Sequence, residues 1–336
     1  MLVPVSIVYD RLNELVETTS QVRGAKKRPE GFRWLVRYAR SQRGDLGRVR
    51  VRFGEPVPLR ASLAGDDPNA LSKVAFEVST RINRATPVTP ISLVTFALLG
   101  TDGRAVTLAE ARAVIEPVRE YVVRRGLPGS DELDADVART LDILVEHGVV
   151  ERFDGGIEPV YRVRADRDLE AAFYRNVVIH WFLNRAIAEV ALAAGEDLED
   201  ALQHAFRLRD LLKFEFFFAR KREFRDELRA EQALLDVGGR FADRVLRSFL
   251  EAYWVVAERL AARGPAAADA NGLVAECLAV GRQYHLQGRL QSAEAVSGEL
   301  FKTGLKLAGN RDLLAAGREA ERTAFRAELE ALLGRL

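Results

Sequence analysis

Strand-like alternation at the start of the chain gives way to helical periodicity that persists to its end. Residues 1–10 read MLVPVSIVYD, with Val3, Val5, Ile7 and Tyr9 on one side of an extended chain and Ser6 and Val8 on the other. β-Branched residues on both faces predict a strand buried on both sides, as in a helix-covered sheet. Such a strand needs neighbours that lie upstream, so the chain is expected to be the C-terminal portion of a larger protein. Phe32 to Ser41 has a helical spacing of apolar residues. Arg48 to Phe53 (RVRVRF) alternates strictly, which predicts an antiparallel or edge strand with Val49, Val51 and Phe53 inward and three arginines outward. The prolines at Pro56 and Pro58 end it, because proline cannot continue a ladder. Residues 1–62 are therefore expected to hold the closing strands of an α/β sheet.

Residues 68–165 form a second segment. Pro68 to Thr86 predicts a helix with Leu71, Val74, Ala75, Val78 and Ile82 on one face. The run Thr86 to Pro90 breaks it and caps the next helix, Ile91 to Leu99. Thr107 with Glu110 three residues on forms a capping box for another. Ala135 to His147 is a third, ended by Gly148. Val149 to Phe153 and Pro159 to Val163 flank Asp154-Gly155-Gly156, a hairpin signal. Three helices and then a hairpin is the pattern of a winged helix. From 166 to 336 almost everything is helical: Glu170 to Ala194, Leu198 to Arg229 and Phe241 to Arg263, then a Gly/Pro/Ala linker over 264–272, then three more helices. The expected class is thus mainly α, with a remnant of an α/β sheet at the N-terminus, a winged-helix-like segment and a large helical C-terminal region.

Composition narrows the functions. The formal net charge is +1, so no overall field steers the chain to nucleic acid or an anionic membrane. One cysteine, Cys277, excludes an intrachain disulfide framework and suits a reducing cytosol. No run of about 18 uncharged apolar residues occurs, so no segment is expected to span a bilayer. The third helix of the winged-helix-like segment is acidic: Asp131, Glu132, Asp134, Asp136, Asp142 and Glu146 stand against Arg139 alone. DNA repels such an element, so protein packing is the expected use and nucleic acid is not an expected partner.

No complete catalytic constellation is visible. His147 closes a helix, where a cation meets the C-terminal dipole favourably, and His180 lies among apolar residues as a core histidine would. His204 and His285 sit in polar helical surroundings. None of the four is followed by Asp five positions on, and serine elbows, phosphate loops and HExxH motifs are absent. Two clusters remain. Arg23, Lys26, Lys27 and Arg28 form a basic loop between two strands, a place where open α/β sheets bind anions. Phe214, Phe216, Phe217, Phe218 and Phe224 mix with Arg220, Lys221 and Arg222. Rings beside cations fit a membrane interface, with Phe214, Phe217, Phe218, Arg220, Lys221 and Arg222 as its residues. Consecutive phenylalanines equally fit a buried helix.

Leu2-Val-Pro-Val-Ser-Ile-Val-Tyr-Asp10 resembles the fourth sequence block of PlsB-type glycerol-3-phosphate acyltransferases, and Arg48-Val-Arg-Val-Arg-Phe-Gly-Glu-Pro56 resembles the strand and turn that follow it. Ile82-Asn-Arg-Ala-Thr-Pro-Val-Thr-Pro90, Phe173-Tyr-Arg-Asn-Val-Val-Ile-His180 and Leu211-Leu-Lys-Phe-Glu-Phe-Phe-Phe218 are similar to the family's C-terminal region. The resemblance implies acyl transfer from acyl-CoA or acyl carrier protein to glycerol 3-phosphate, with no cofactor beyond that co-substrate. It implies that Val3, Pro4, Val5, Ser6 and Ile7 line the acyl and acceptor pocket. The family's HxxxxD base lies upstream of the fourth block and has no counterpart here, so no catalytic residue carries over. An upstream catalytic half and the cytoplasmic face of the cell membrane are the implied partners, the association being peripheral. The alternative is a non-catalytic helical module for interaction or membrane association.

Overall fold

The structure, a computed structural model, describes residues 1–12, 15, 19, 47–63, 66–101, 103–133 and 137–336. The basic loop of Arg23, Lys26, Lys27 and Arg28 and the helix expected over 32–41 lie outside the described residues. Among those described, thirteen α-helices and five short strands make a mainly helical protein with two small antiparallel sheets.

The first sheet pairs β1 (Val5–Tyr9) with β2 (Val49–Phe53), Val5 opposite Phe53, Ile7 opposite Val51 and Tyr9 opposite Val49. Leu2 and Val57 extend the pairing by one bridge. This register places the apolar residues of both strands on a common face. Ser6 and Val8 are buried on the other face. The apolar face is open to solvent: Val3, Ile7, Tyr9, Val49 and Val51 are 41–52% exposed and Phe53 is 73% exposed. Two expectations are corrected here. β1 is covered on one face only, and Val49, Val51 and Phe53 turn outward. The residue that β2 turns toward the body is an arginine. Arg50 ion-pairs with Asp10 at 2.7 Å and with Glu132 at 2.9 Å, which lets a charged side chain sit at that position.

Helices α1 (Leu59–Ser62) and α2 (Ala70–Ala85) follow. Pro87 cannot continue α2, and the chain leaves it extended at Thr86. The helix α3 (Pro90–Leu99) starts on a capping box between Thr89 and Ser92 with proline at its first turn. It carries no charge and is buried from Ile91 to Leu98, with the Ser92 and Thr95 hydroxyls bonded to nearby backbone carbonyls. β3 (Val106–Thr107) leads into α4 (Leu108–Arg124), whose capping box of Thr107 and Glu110 forms as the spacing predicts. Then come α5 (Val137–Glu146), β4 (Val150–Phe153) and β5 (Val160–Val163). β5 lies between β3 and β4, antiparallel to both.

The helix expected over 170–194 is interrupted. α6 (Asp168–Asn176) ends at a bend with one 3-10 turn at Ile179–Trp181, and α7 (Leu183–Ala194) resumes beyond it. The helix expected over 198–229 divides as well, into α8 (Leu198–Leu212) and α9 (Lys221–Gln232), around the phenylalanine run. α10 (Ala242–Ala261) is the axis of the C-terminal region and is buried on nearly all sides by α7, α11 (Ala270–Leu286), α12 (Gly298–Asn310) and α13 (Glu319–Leu333). Its first turn is capped from outside, where Glu189 accepts the amides of Phe241 and Ala242 at 2.8 Å each. Phe96 stacks on Phe182 at 4.4 Å, and Phe241 meets Phe96, Tyr121 and Phe182 edge-on, so residues distant in sequence share one core. The 264–272 linker is fastened to the body. Buried Arg322 donates to the carbonyls of Gly264, Ala266, Leu313 and Ala315 at 2.7–2.9 Å.

Candidate functional site: a cleft along the first strand

A cleft of about 600 Å³ runs along β1. The consecutive residues Val5, Ser6, Ile7 and Val8 all line it. Side chains alternate between the faces of a strand, so a wall made of consecutive residues is a strand edge with its backbone exposed. Among the described residues β1 pairs with β2 alone, and this is its other edge. Ile82, Asn83 and Thr86 from the end of α2 form a second wall. The bend after α6 supplies Asn176, Val177, Ile179 and His180, and the turn after α8 supplies Glu215, Phe216 and Phe217.

The protons in this cleft can be followed. Thr86 Oγ1 donates to the Ile82 carbonyl at 2.9 Å, as a hydroxyl at a helix end commonly does. Its 2.8 Å contact with Ser6 Oγ must therefore be a bond that Ser6 donates. Both hydroxyl hydrogens are committed, leaving oxygen lone pairs. His180 Nε2 lies 2.9 Å from the Asn83 carbonyl, which can only accept, so Nε2 carries the proton. Nδ1 has no hydrogen-bond partner among the described residues and keeps its lone pair. Burial pushes the imidazole down to about 4, so it is neutral at pH 7. Asn176 Oδ1 accepts from Arg175 at 2.8 and 3.0 Å, which fixes the amide and leaves its NH₂ to donate elsewhere. Arg175 is held in turn by Glu294 at 2.8 Å. Burial raises the Glu215 carboxyl above the usual range, and the Tyr253 hydroxyl donates to it at 3.1 Å. Phe217 is 47% exposed and packs edge-on against Phe76 at 5.2 Å.

The segments from Ile82, Phe173 and Leu211 that carry the resemblance to PlsB-type enzymes lie far apart in sequence, yet each contributes a wall of this cleft. Residues 19–317 match the family described as the glycerol-3-phosphate acyltransferase C-terminal region. The chain belongs to this family. It is 40% identical over 351 residues to the acyltransferase plsB1 proteins of Mycobacterium bovis and Mycobacterium tuberculosis, covering 93% of this chain and 56% of those proteins. It is 29% identical over 202 residues to the glycerol-3-phosphate acyltransferase of Xanthomonas campestris, covering 53% of this chain and 22% of that protein. The chain spans about half the length of the plsB1 relatives it matches.

Of the residues assigned to the pocket of this acyltransferase family, Val5, Ser6 and Ile7 line the cleft, whereas Val3 is on the open sheet face and Pro4 is buried beside Gly54, whose amide donates to its carbonyl at 2.8 Å. The phenylalanine run divides. Phe218 is core, packed on Phe224 with Arg209 over its ring, so it is removed from the expected interface set. Phe214 is half-buried between the ammonium groups of Lys213 and Lys306, while Phe217, Arg220, Lys221 and Arg222 are exposed. Sequence reasoning missed Asn83, Asn176 and Glu215, and it assigned His180 a wholly structural part. The available signal was their position inside the family-like segments.

Proposed function

We propose that this chain is the C-terminal part of a glycerol-3-phosphate 1-O-acyltransferase, completed by an upstream catalytic half. That half supplies the HxxxxD base and the basic residues that hold the phosphate. The open apolar face of the β1–β2 sheet carries the proposal. Five apolar side chains and Phe53 stand in water on a sheet that, among the described residues, has two strands and an unpaired edge beside the cleft. A partner that packs on this face would cover it and border the cleft, leaving the edge of β1 as one wall of a shared substrate pocket. The share of the plsB1 relatives that lies outside the match supports such a partner. Without it the chain is inactive.

The order α3-β3-α4-α5-β4-β5, with β5 between the other strands, supports reading residues 68–165 as a winged helix used for protein packing. Its acidic third helix favours a protein partner over DNA. No helix among the described residues is long and apolar enough to cross a membrane. Phe217 with Arg220, Lys221 and Arg222 supports peripheral attachment at the cytoplasmic membrane face, the ring entering the acyl boundary and the cations meeting headgroups.

The test is acyl transfer to radiolabelled glycerol 3-phosphate by this chain alone, by a separately expressed N-terminal half of a plsB1 relative, and by the two mixed. Activity only in the mixture is expected. Activity of this chain alone would sink the division of labour. Failure of the mixture with both halves folded would favour a non-catalytic helical module.

A further inference from the structure

The polar groups of the cleft are of a particular kind. Neutral acceptors come from His180 Nδ1 and the Ser6 and Thr86 oxygens, and neutral donors from the Asn83 and Asn176 amides. The edge of β1 that is unpaired among the described residues adds backbone N–H and C=O groups. Among the described residues no lysine or arginine lines the cleft, and the one carboxyl there, Glu215, can only add negative charge. A phosphate draws its affinity chiefly from cations, and the described lining offers amide donors and no cation, so it suits a neutral ligand better. A bare alkyl chain would leave the amides and the imidazole lone pair unpaired, at a cost. The ligand that satisfies the walls is neutral and elongated, with amide or hydroxyl groups spaced by short apolar stretches. The cleft volume falls in the roughly 300–1,000 Å³ range of small-molecule sites.

We infer that the cleft receives the neutral pantetheine arm of the thioester donor, its amides pairing with the edge of β1 and with His180 and Asn83, while the phosphate of the acceptor is held outside it. This rests on the acyltransferase reading for the source of the arm, and the geometry selects which substrate and which part of it. An extended amide chain added to a strand edge is an established mode of recognition. His180 here is a positioning residue: its single proton faces Asn83, so it accepts from the arm and transfers nothing.

The experiment is saturation-transfer NMR on the full chain with pantetheine, coenzyme A, sodium palmitate and glycerol 3-phosphate as separate probes. Pantetheine and coenzyme A should bind saturably and compete with each other, while glycerol 3-phosphate gives no signal. H180A and N83A should each weaken pantetheine about tenfold, the scale of a lost hydrogen bond that leaves its partner unpaired, and R222A should leave it unchanged. Because H180A can also loosen the bend that carries it, the wild type labelled with ¹⁵N-histidine gives a second readout. Its four histidines are few enough to assign, and Nδ1 of His180 should shift on pantetheine addition. Binding of glycerol 3-phosphate, binding of palmitate without pantetheine, no binding of pantetheine, or an unmoved His180 resonance would each overturn the inference. Activity of the mixed halves without pantetheine binding would leave the proposed function standing and remove this site alone. Pantetheine binding without activity in the mixture would do the reverse.

Discussion

The helical body around α10 and the two-stranded sheet at the N-terminus solve the same problem in opposite ways. Along α10 the apolar side chains are covered, and charged groups taken into the body are paired. Arg185 is almost fully enclosed, bonded to Glu189 at 2.6 Å and to the Leu235 and Gly239 carbonyls, and Arg175 meets Glu294. In the sheet, five apolar residues and a phenylalanine face water while an arginine faces the protein. A surface built this way suits one side of the interface proposed above. The cleft lies where the two regions meet, with β1 on one side and the bends of the helical body on the other.

Single substitutions should cost most in the body. Arg175→Ala leaves Glu294 buried without its partner and should cost roughly 3–5 kcal/mol, read by urea denaturation. Phe182→Ala, which empties the centre of the aromatic cluster, should cost a similar amount. A loss below about 1 kcal/mol for either would mean that the body is not the stable unit.

The boundary between the regions has a pH signature. The folded-state pKa of His180 is lowered to about 4 from 6.5, so between these values the unfolded chain binds a proton that the folded chain does not. Its contribution is fully present above pH 6.5 and is lost as pH falls toward 4, on the order of 3 kcal/mol in all. Glu215, whose pKa is raised, acts in the opposite direction, the folded chain holding its proton longer as pH rises. Comparing the wild type with H180Q by denaturation across this range isolates the histidine. The variant should show a shallower fall toward low pH, and parallel curves would mean that the imidazole is protonated in the fold.

On the sheet, Phe53→Ser and Val51→Thr should change the stability of this chain by no more than about 0.5 kcal/mol, as exposed positions do. The same changes should reduce activity in the mixed-halves assay. A large stability loss would show that the face is already covered within the chain. The smallest effect on folding is expected at Phe217. Phe217→Asp should leave the thermal midpoint within a degree or two while lowering association with vesicles containing anionic lipid.

Local signals were legible where a residue type has one good use. Thr107 and Glu110 made their capping box, and Thr89 with Pro90 opened α3 as the break at 86–90 implied. Asp154-Gly155-Gly156 turned its hairpin. Periodicity failed at the bends of 176–182 and 213–220, since apolar runs there satisfy a helix and a packed turn equally well. It failed too in the direction of β2, because alternation states that the two faces differ and not which of them is covered.

Residue types and their spacing were enough for the mainly helical class, the family, the absence of an HxxxxD motif and a strand over Val5–Tyr9. These follow from local propensity, from spacing and from which residues are present. Tertiary structure alone decided that the 82–90, 173–180 and 211–218 segments converge on that strand. It alone decided that Phe218 is core while Phe217 is surface, and that His180 spends one ring nitrogen on the Asn83 carbonyl. Those are facts of packing and of hydrogen-bond partners far apart in the chain, and no window of neighbouring residues contains them.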